Sequence, residues 1–300
     1  MSADFWSGYV SGAVGILIGN PLDVLKVRLQ AANSAAVALS SEARQFQTAA
    51  SLVTGTAAPI LGYGALNALL FVSYNRTEAA LNAAFSSKGN LWSTWAAGAA
   101  GGLATWVVSA PTELIKCRAQ MAVPPRSSWA IARQIVRSEG VRCLYFGGAV
   151  TALRDSIGYG FYFWTYEVCN RWMDAYSQGE PTFAREASKV LLCGGLAGIA
   201  TWGSVFPLDV IKTRVQTQPF AADAPPLAPA PPTQTRAPPD GKRVGAINVA
   251  RLAYQEGGMS VFFRGLTICS VRAFIVNAVQ WAVYEWMMHK LGHGRRRRNQ

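Results

Sequence analysis

The chain has 300 residues, of which 51% are hydrophobic and only 15% charged, well under the roughly one quarter of charged residues usual in a soluble globular domain. The formal charge of +12 would suit nucleic acid, but the basic residues fall at helix ends and in the tail 295–298, not among stacking aromatics, so a nucleic-acid partner is excluded. Five dispersed cysteines (Cys117, Cys143, Cys169, Cys193, Cys269) without a C-x-x-C spacing, and two histidines (His289, His293) at the C-terminal end, imply neither a disulfide framework nor a metal site.

Residues 1–4 have no basic n-region, so targeting information is read as internal. Apolar stretches follow at 8–22, 57–74, 95–111, 149–169, 190–208 and 266–288, most of them near the about 20 residues that a spanning helix needs. They predict six membrane-spanning helices with both termini on one side. Mean hydropathy is only slightly positive, which predicts a polar interior. The odd helices carry glycines at packing intervals: Gly8, Gly12, Gly15 and Gly19, then Gly98, Gly101 and Gly102, then Gly194, Gly195 and Gly198. Such stripes let membrane helices approach closely; the alternative is that glycine is simply frequent in membrane helices.

One string closes each odd helix. PLDVLKVRLQ at 21–30 returns as PTELIKCRAQ at 111–120 and PLDVIKTRVQ at 207–216, so the chain is a threefold repeat. The units are 1–86, 87–180 and 181–294, with a basic tail at 295–300. The connecting segments of the second and third units share a device, Glu139-Gly140 before Tyr145-Phe146-Gly147 and Glu256-Gly257 before Phe263-Arg264-Gly265. The first unit lacks it. A proline- and alanine-rich insertion at 218–240 in the third unit reads as an extended loop on the motif side.

The motif carries chemistry at each position. Pro21, Pro111 and Pro207 remove a backbone donor and kink their helices. The acids Asp23, Glu113 and Asp209 and the lysines Lys26, Lys116 and Lys212 lie on one face of each bent helix. Threefold symmetry lets each acid meet the lysine of the next repeat, giving a ring of ion pairs that closes one end of a central cavity; the alternative is an i, i+3 pair within each helix. Buried pairs nearly balance attraction against desolvation, which suits a gate. Gln30, Gln120 and Gln216, four residues beyond each lysine, are placed to bond across the pairs.

On these motifs the chain resembles the mitochondrial carrier family (solute carrier family 25) over essentially its whole length. The resemblance implies an all-α membrane protein, with six transmembrane helices in three pseudo-symmetric pairs around a central cavity. It further implies the mitochondrial inner membrane, termini towards the intermembrane space, the motif ring as a matrix gate, and alternating access. A monomer in contact with membrane lipid, cardiolipin included, and without cofactor or metal is expected. A second, cytoplasmic gate is implied at the far ends of the even helices, where this chain offers only Glu167 after Tyr166 and Glu285 after Tyr284, and Asn75 after Tyr74.

The resemblance puts substrate contacts midway along the even helices: Arg154 and Asp155 in the fourth, Arg272 in the sixth, and uncharged Leu66, Asn67 and Leu70 in the second. Asp155 suits a cation, and the two arginines suit a carboxylate. The alternative is that Arg154 and Asp155 simply pair with each other. Trp106 and Trp202, five residues before their prolines, are candidates to hold a quaternary ammonium by cation–π attraction, or else face lipid. An Arg-Asp pair here is similar to the carnitine/acylcarnitine and basic amino acid branch, so the expected cargo is a small zwitterionic or cationic metabolite. Choline or methylated amino acids, or a proton or fatty-acid leak, are the alternatives. No nucleophile–base pair, phosphate loop or redox motif suggests an enzyme.

Overall fold

A computed structural model describes residues 3–31, 56–85, 90–122, 126–176, 183–218 and 244–290. The insertion expected at 218–240 lies almost wholly outside the described residues, as do the first unit's connecting segment and the tail. Helices make up the described chain: α1 (Ala3–Ala31), α2 (Ala57–Ala84), α3 (Leu91–Met121), α4 (Ser128–Glu139), α5 (Gly148–Tyr176), α6 (Phe183–Gln216), α7 (Ala246–Gly257) and α8 (Leu266–Lys290), with 3-10 turns at Val141–Tyr145 and Gly258–Phe263. The six long helices pack in a closed circuit, α1 on α2, α2 on α3, α3 on α5, α5 on α6, α6 on α8 and α8 back on α1.

The circuit is inverted relative to a water-soluble bundle. Leu61, Phe71, Val72, Leu103, Val107, Leu192 and Leu196 are exposed on the outside, while Asn20, Asp23, Lys26, Ser109, Asp155, Asp209 and Lys212 are buried. That arrangement fits lipid around the bundle and polar groups within it. By length and apolar composition alone, four segments among the described residues qualify as membrane spans, within α1, α2, α6 and the stretch ending in α8. The sequence predicts six. The shortfall falls on α3, built largely of small residues, and α5, which carries Arg154 and Asp155. At 31 and 29 residues, both exceed the roughly 30 Å of a hydrocarbon core at 1.5 Å per residue.

Glycine decides how close α3 and α5 lie. A Cβ at Gly98 would sit 2.6 Å from the Tyr159 carbonyl oxygen, and one at Gly102 would strike the backbone of Asp155. Gly101 takes Leu70 of α2, and Gly12 of α1 takes the ring of Tyr63. Gly8 meets no close neighbour among the described residues.

Helices α1, α3 and α6 run continuously through Pro21, Pro111 and Pro207. Proline frees the carbonyl four residues earlier. In α3 that carbonyl belongs to Val107, and the Tyr145 hydroxyl donates to it at 3.1 Å. Asn90 caps the start of α3 by accepting from the Trp92 amide at 3.0 Å, and Ser127 caps α4 by accepting from the Ala130 amide at 3.2 Å. Gly140, φ +84°, ends α4 in a conformation that costs other residues a clash. The parallel position in the third repeat is Gly258, φ +64°, not Gly257, whose backbone is extended. Ile131 and Ile135 seat α4 on Leu114 and Ala119 of α3. Ala253 seats α7 against Ile211 of α6.

Candidate functional site

Where the three bent helices converge, each acid meets the lysine of another repeat. Lys26 Nζ lies 2.7 Å from Asp209 Oδ2, Lys116 pairs with Asp23, and Lys212 pairs with Glu113. The pairs run α1 to α6, α3 to α1 and α6 to α3, and so close a circle. The glutamines do not act alike. Gln30 Nε2 donates to Asp209 Oδ2 at 2.9 Å, bonding across the Lys26 pair, while its Oε1 accepts from Thr213. Gln120 Nε2 donates to Asn20 Oδ1 at 3.1 Å and Gln216 Nε2 to Thr151 Oγ1 at 3.3 Å. Gln30 thus bonds to a ring acid, while the bonds described for Gln120 and Gln216 go to Asn20 and Thr151.

Above the ring lies a cavity of about 280 Å³ whose charged lining is Glu113, Arg154, Asp155 and Arg272, with Leu66 and Trp202 among its apolar walls. Arg154 Nη2 reaches Asp155 Oδ1 at 2.5 Å and Glu113 Oε1 at 2.6 Å, and its Nη1 approaches Asp209 at 3.7 Å. Ser109 donates to Asp155 Oδ2 at 2.7 Å, fixing that carboxylate from α3. Arg272 Nε lies 2.6 Å from Asp23 Oδ1, across Gly19, where a Cβ would come within 3.0 Å of the guanidinium. The two arginines of the cavity are thus also partners of ring acids. Arg154 and Asp155 pair with each other, yet both remain on the cavity wall.

A family model described as mitochondrial carrier protein matches this chain three times, over residues 1–84, 87–177 and 184–295. The chain belongs to the mitochondrial carrier family. Among curated proteins it is similar to the mitochondrial basic amino acids transporter of Rattus norvegicus, 34% identical over 94% of this chain and 87% of the relative. It is 32% identical to the mitochondrial arginine transporter BAC2 of Arabidopsis thaliana, over 94% of this chain and 89% of that one. It is 30% identical to solute carrier family 25 member 45 of Mus musculus, over 95% and 97%. This carrier is accordingly a transporter and not an enzyme.

Several candidate contacts of the carrier lie elsewhere than expected. Asn67 turns back on its own helix, donating to the Tyr63 carbonyl at 3.0 Å, and Leu70 is buried against Gly101. Neither lines the cavity. Trp106 is also corrected: it packs on Tyr145, ring centroids 5.4 Å apart, beside the proline kink and against Gly148. Trp202 does line the cavity, and a cation of the protein itself, Lys26 Nζ, lies over its ring 3.9 Å from the centroid.

At the far end, Glu167 pairs with Arg171 of its own helix at 2.7 Å, both side chains partly exposed. An arginine four residues on satisfies it locally. Asp174 of α5 meets Lys189 of α6, and Tyr74 donates to Glu78 within α2. The Glu285 side chain lies outside the described residues.

Sequence reasoning missed Ser109 and the motif arginine of the third repeat. Arg214 donates to the Gln30 carbonyl at 3.0 Å and pairs with Glu256 at 2.7 Å, tying α6 to α1 and α7. The signal was present, since a Glu-Gly follows the motif in two repeats. Ser109 had a fainter one: it stands two residues before Pro111, where the other repeats have Gly19 and Val205.

Proposed function

We propose that this carrier moves an amino-acid-type metabolite, with a carboxylate and a cationic group, across the mitochondrial inner membrane by alternating access. In this reading the lysine–acid ring is the matrix gate, and the cavity above it is the cargo site, open towards the intermembrane space where both termini lie. One observation carries the reading: Arg154 joins Asp155 and Glu113 on the wall of a cavity that also holds Arg272.

Breaking a buried ion pair by removing one partner costs about 3–5 kcal/mol. A cargo bearing both charges avoids that cost, because its carboxylate replaces an acid at Arg154 or Arg272 while its cation replaces a base at Asp155 or Glu113. An anion or a simple cation exchanges only half of the set. The names of the relatives, one for basic amino acids and one for arginine, support the same cargo class. Carnitine also carries both charges, but its methylated cation donates no hydrogen bond, and Trp202 already holds one cation, Lys26, over its ring. Basic amino acids therefore stand first.

Uptake by reconstituted protein against arginine, lysine, ornithine, carnitine, acylcarnitines and choline tests this. Saturable uptake of a basic amino acid, with choline a poor competitor for want of a carboxylate, is the expected result. Proton conductance without saturable uptake of any of them overturns the reading in favour of a leak pathway.

A further inference from the structure

The cargo reading leaves open how loading is communicated to the ring, and the inference here rests on that reading. The three ring acids differ in what they show to the cavity. The side chain of Asp209 is 3% exposed and that of Asp23 10%, whereas that of Glu113 is 27% exposed. Glu113 is also the ring acid that lines the cavity. Its two oxygens are divided, Oε1 to Arg154 on the cavity side and Oε2 to Lys212 in the ring. A carboxylate has about four lone-pair sites, so the exposed edge has capacity for a further donor. Arg154 holds Asp155 with the same terminal nitrogen that reaches Glu113. A cation entering the cavity therefore meets two carboxylates with one guanidinium shared between them.

We propose that Glu113 is a cargo-contacting residue as well as a member of the ring: the cationic group of the cargo takes the cavity-facing edge beside Arg154 and, by sharing the charge of the carboxylate, weakens its hold on Lys212. Loading then loosens the seam between α3 and α6. The α1–α6 seam has no such exposure, since Asp209 is held by Lys26 and Gln30 together. A cargo of equal shape without the positive charge occupies the cavity and leaves the Glu113–Lys212 pair intact.

Arginine and citrulline, nearly the same shape with and without the side-chain charge, make the test. Glu113→Gln and Lys212→Gln each delete the same ring pair, so a role confined to the ring moves both variants alike. With Glu113 as a cargo contact, Glu113→Gln raises the half-saturation concentration for arginine about tenfold or more, the worth of a hydrogen bond to a charged group, and leaves that for citrulline near wild type. Lys212→Gln lowers the maximal rate and leaves the arginine half-saturation near wild type. Equal shifts in the two variants, or an arginine value unmoved by Glu113→Gln, overturn the proposal. If Glu113→Gln gives no cooperative melting transition, Glu113→Asp replaces it: the charge stays, withdrawn from the cavity by one methylene, and an arginine value unchanged by that withdrawal overturns the proposal. Wild-type protein that takes up no cationic amino acid overturns the cargo reading itself, a result distinct from equal variants in an active carrier.

Discussion

The two ends of this carrier hold similar residues to different effect. At the motif end, lysines and acids lie on different helices, and their pairs join α1, α3 and α6 into a circle with arginines from α5 and α8 attached. At the other end, Glu167 finds its base four residues along its own helix and Tyr74 its acceptor likewise, and the pair that does join two helices, Asp174 of α5 with Lys189 of α6, is partly exposed to its surroundings. A pair within one helix supports that helix and ties it to nothing else, while a pair between helices resists their separation. The difference concentrates buried ties between helices at the motif end, although both ends are rich in ionisable groups.

Substitutions at the two ends sharpen or break that comparison. The largest effect is expected from Asp209→Asn, which leaves Lys26 buried beside an uncharged amide; loss of such a partner costs about 3–5 kcal/mol, so the detergent-solubilised protein should melt far below wild type. Arg154→Ala removes the residue that joins cavity and ring, and uptake by reconstituted protein should fall about a hundredfold, the worth of two charge-assisted hydrogen bonds. Gln30→Ala should lower stability by about 1 kcal/mol and more than Gln216→Ala does, since Gln30 alone of the two bonds to a ring acid. Smallest of all, Glu167→Gln should cost no more than about 0.5 kcal/mol, as an exposed i, i+4 pair, read as a marginal shift in melting. A drop from Glu167→Gln as large as that from Asp209→Asn would place ties of equal strength at both ends and dissolve the distinction.

Much of the ring was legible from the motif, because three copies of one pattern on symmetric helices determine which acid faces which lysine. Arg154, Asp155 and Arg272 were legible for a related reason: a charge within an apolar run has few places to go except the interior. Uncharged residues gave no such constraint. Asn67 and Leu70 depend on how α2 is rotated about its axis, and that rotation is set by where Gly101 admits Leu70. Trp106 stood at the same offset from its proline as Trp202, yet the two differ in surroundings. Tyr145, from the 3-10 turn after α4, draws Trp106 to the kink, and a motif offset carries no information about that neighbour. The glutamines show the limit of symmetry itself, identical in the repeat and distinct in their acceptors.

Gly98 and Gly102 bring the backbone of α3 onto that of α5 at Tyr159 and Asp155, with no side chain between them at those points. Two surfaces in main-chain contact have few rotamers to rearrange between them, so the helices of the second repeat are expected to move as one plate. Asp155 and the serine that holds it ride on opposite leaves of that plate and keep their spacing whichever way the bundle faces. In the proposed alternating access the change is left to the joints on either side, and Asp155, the proposed acidic anchor of the cargo, travels through it undeformed.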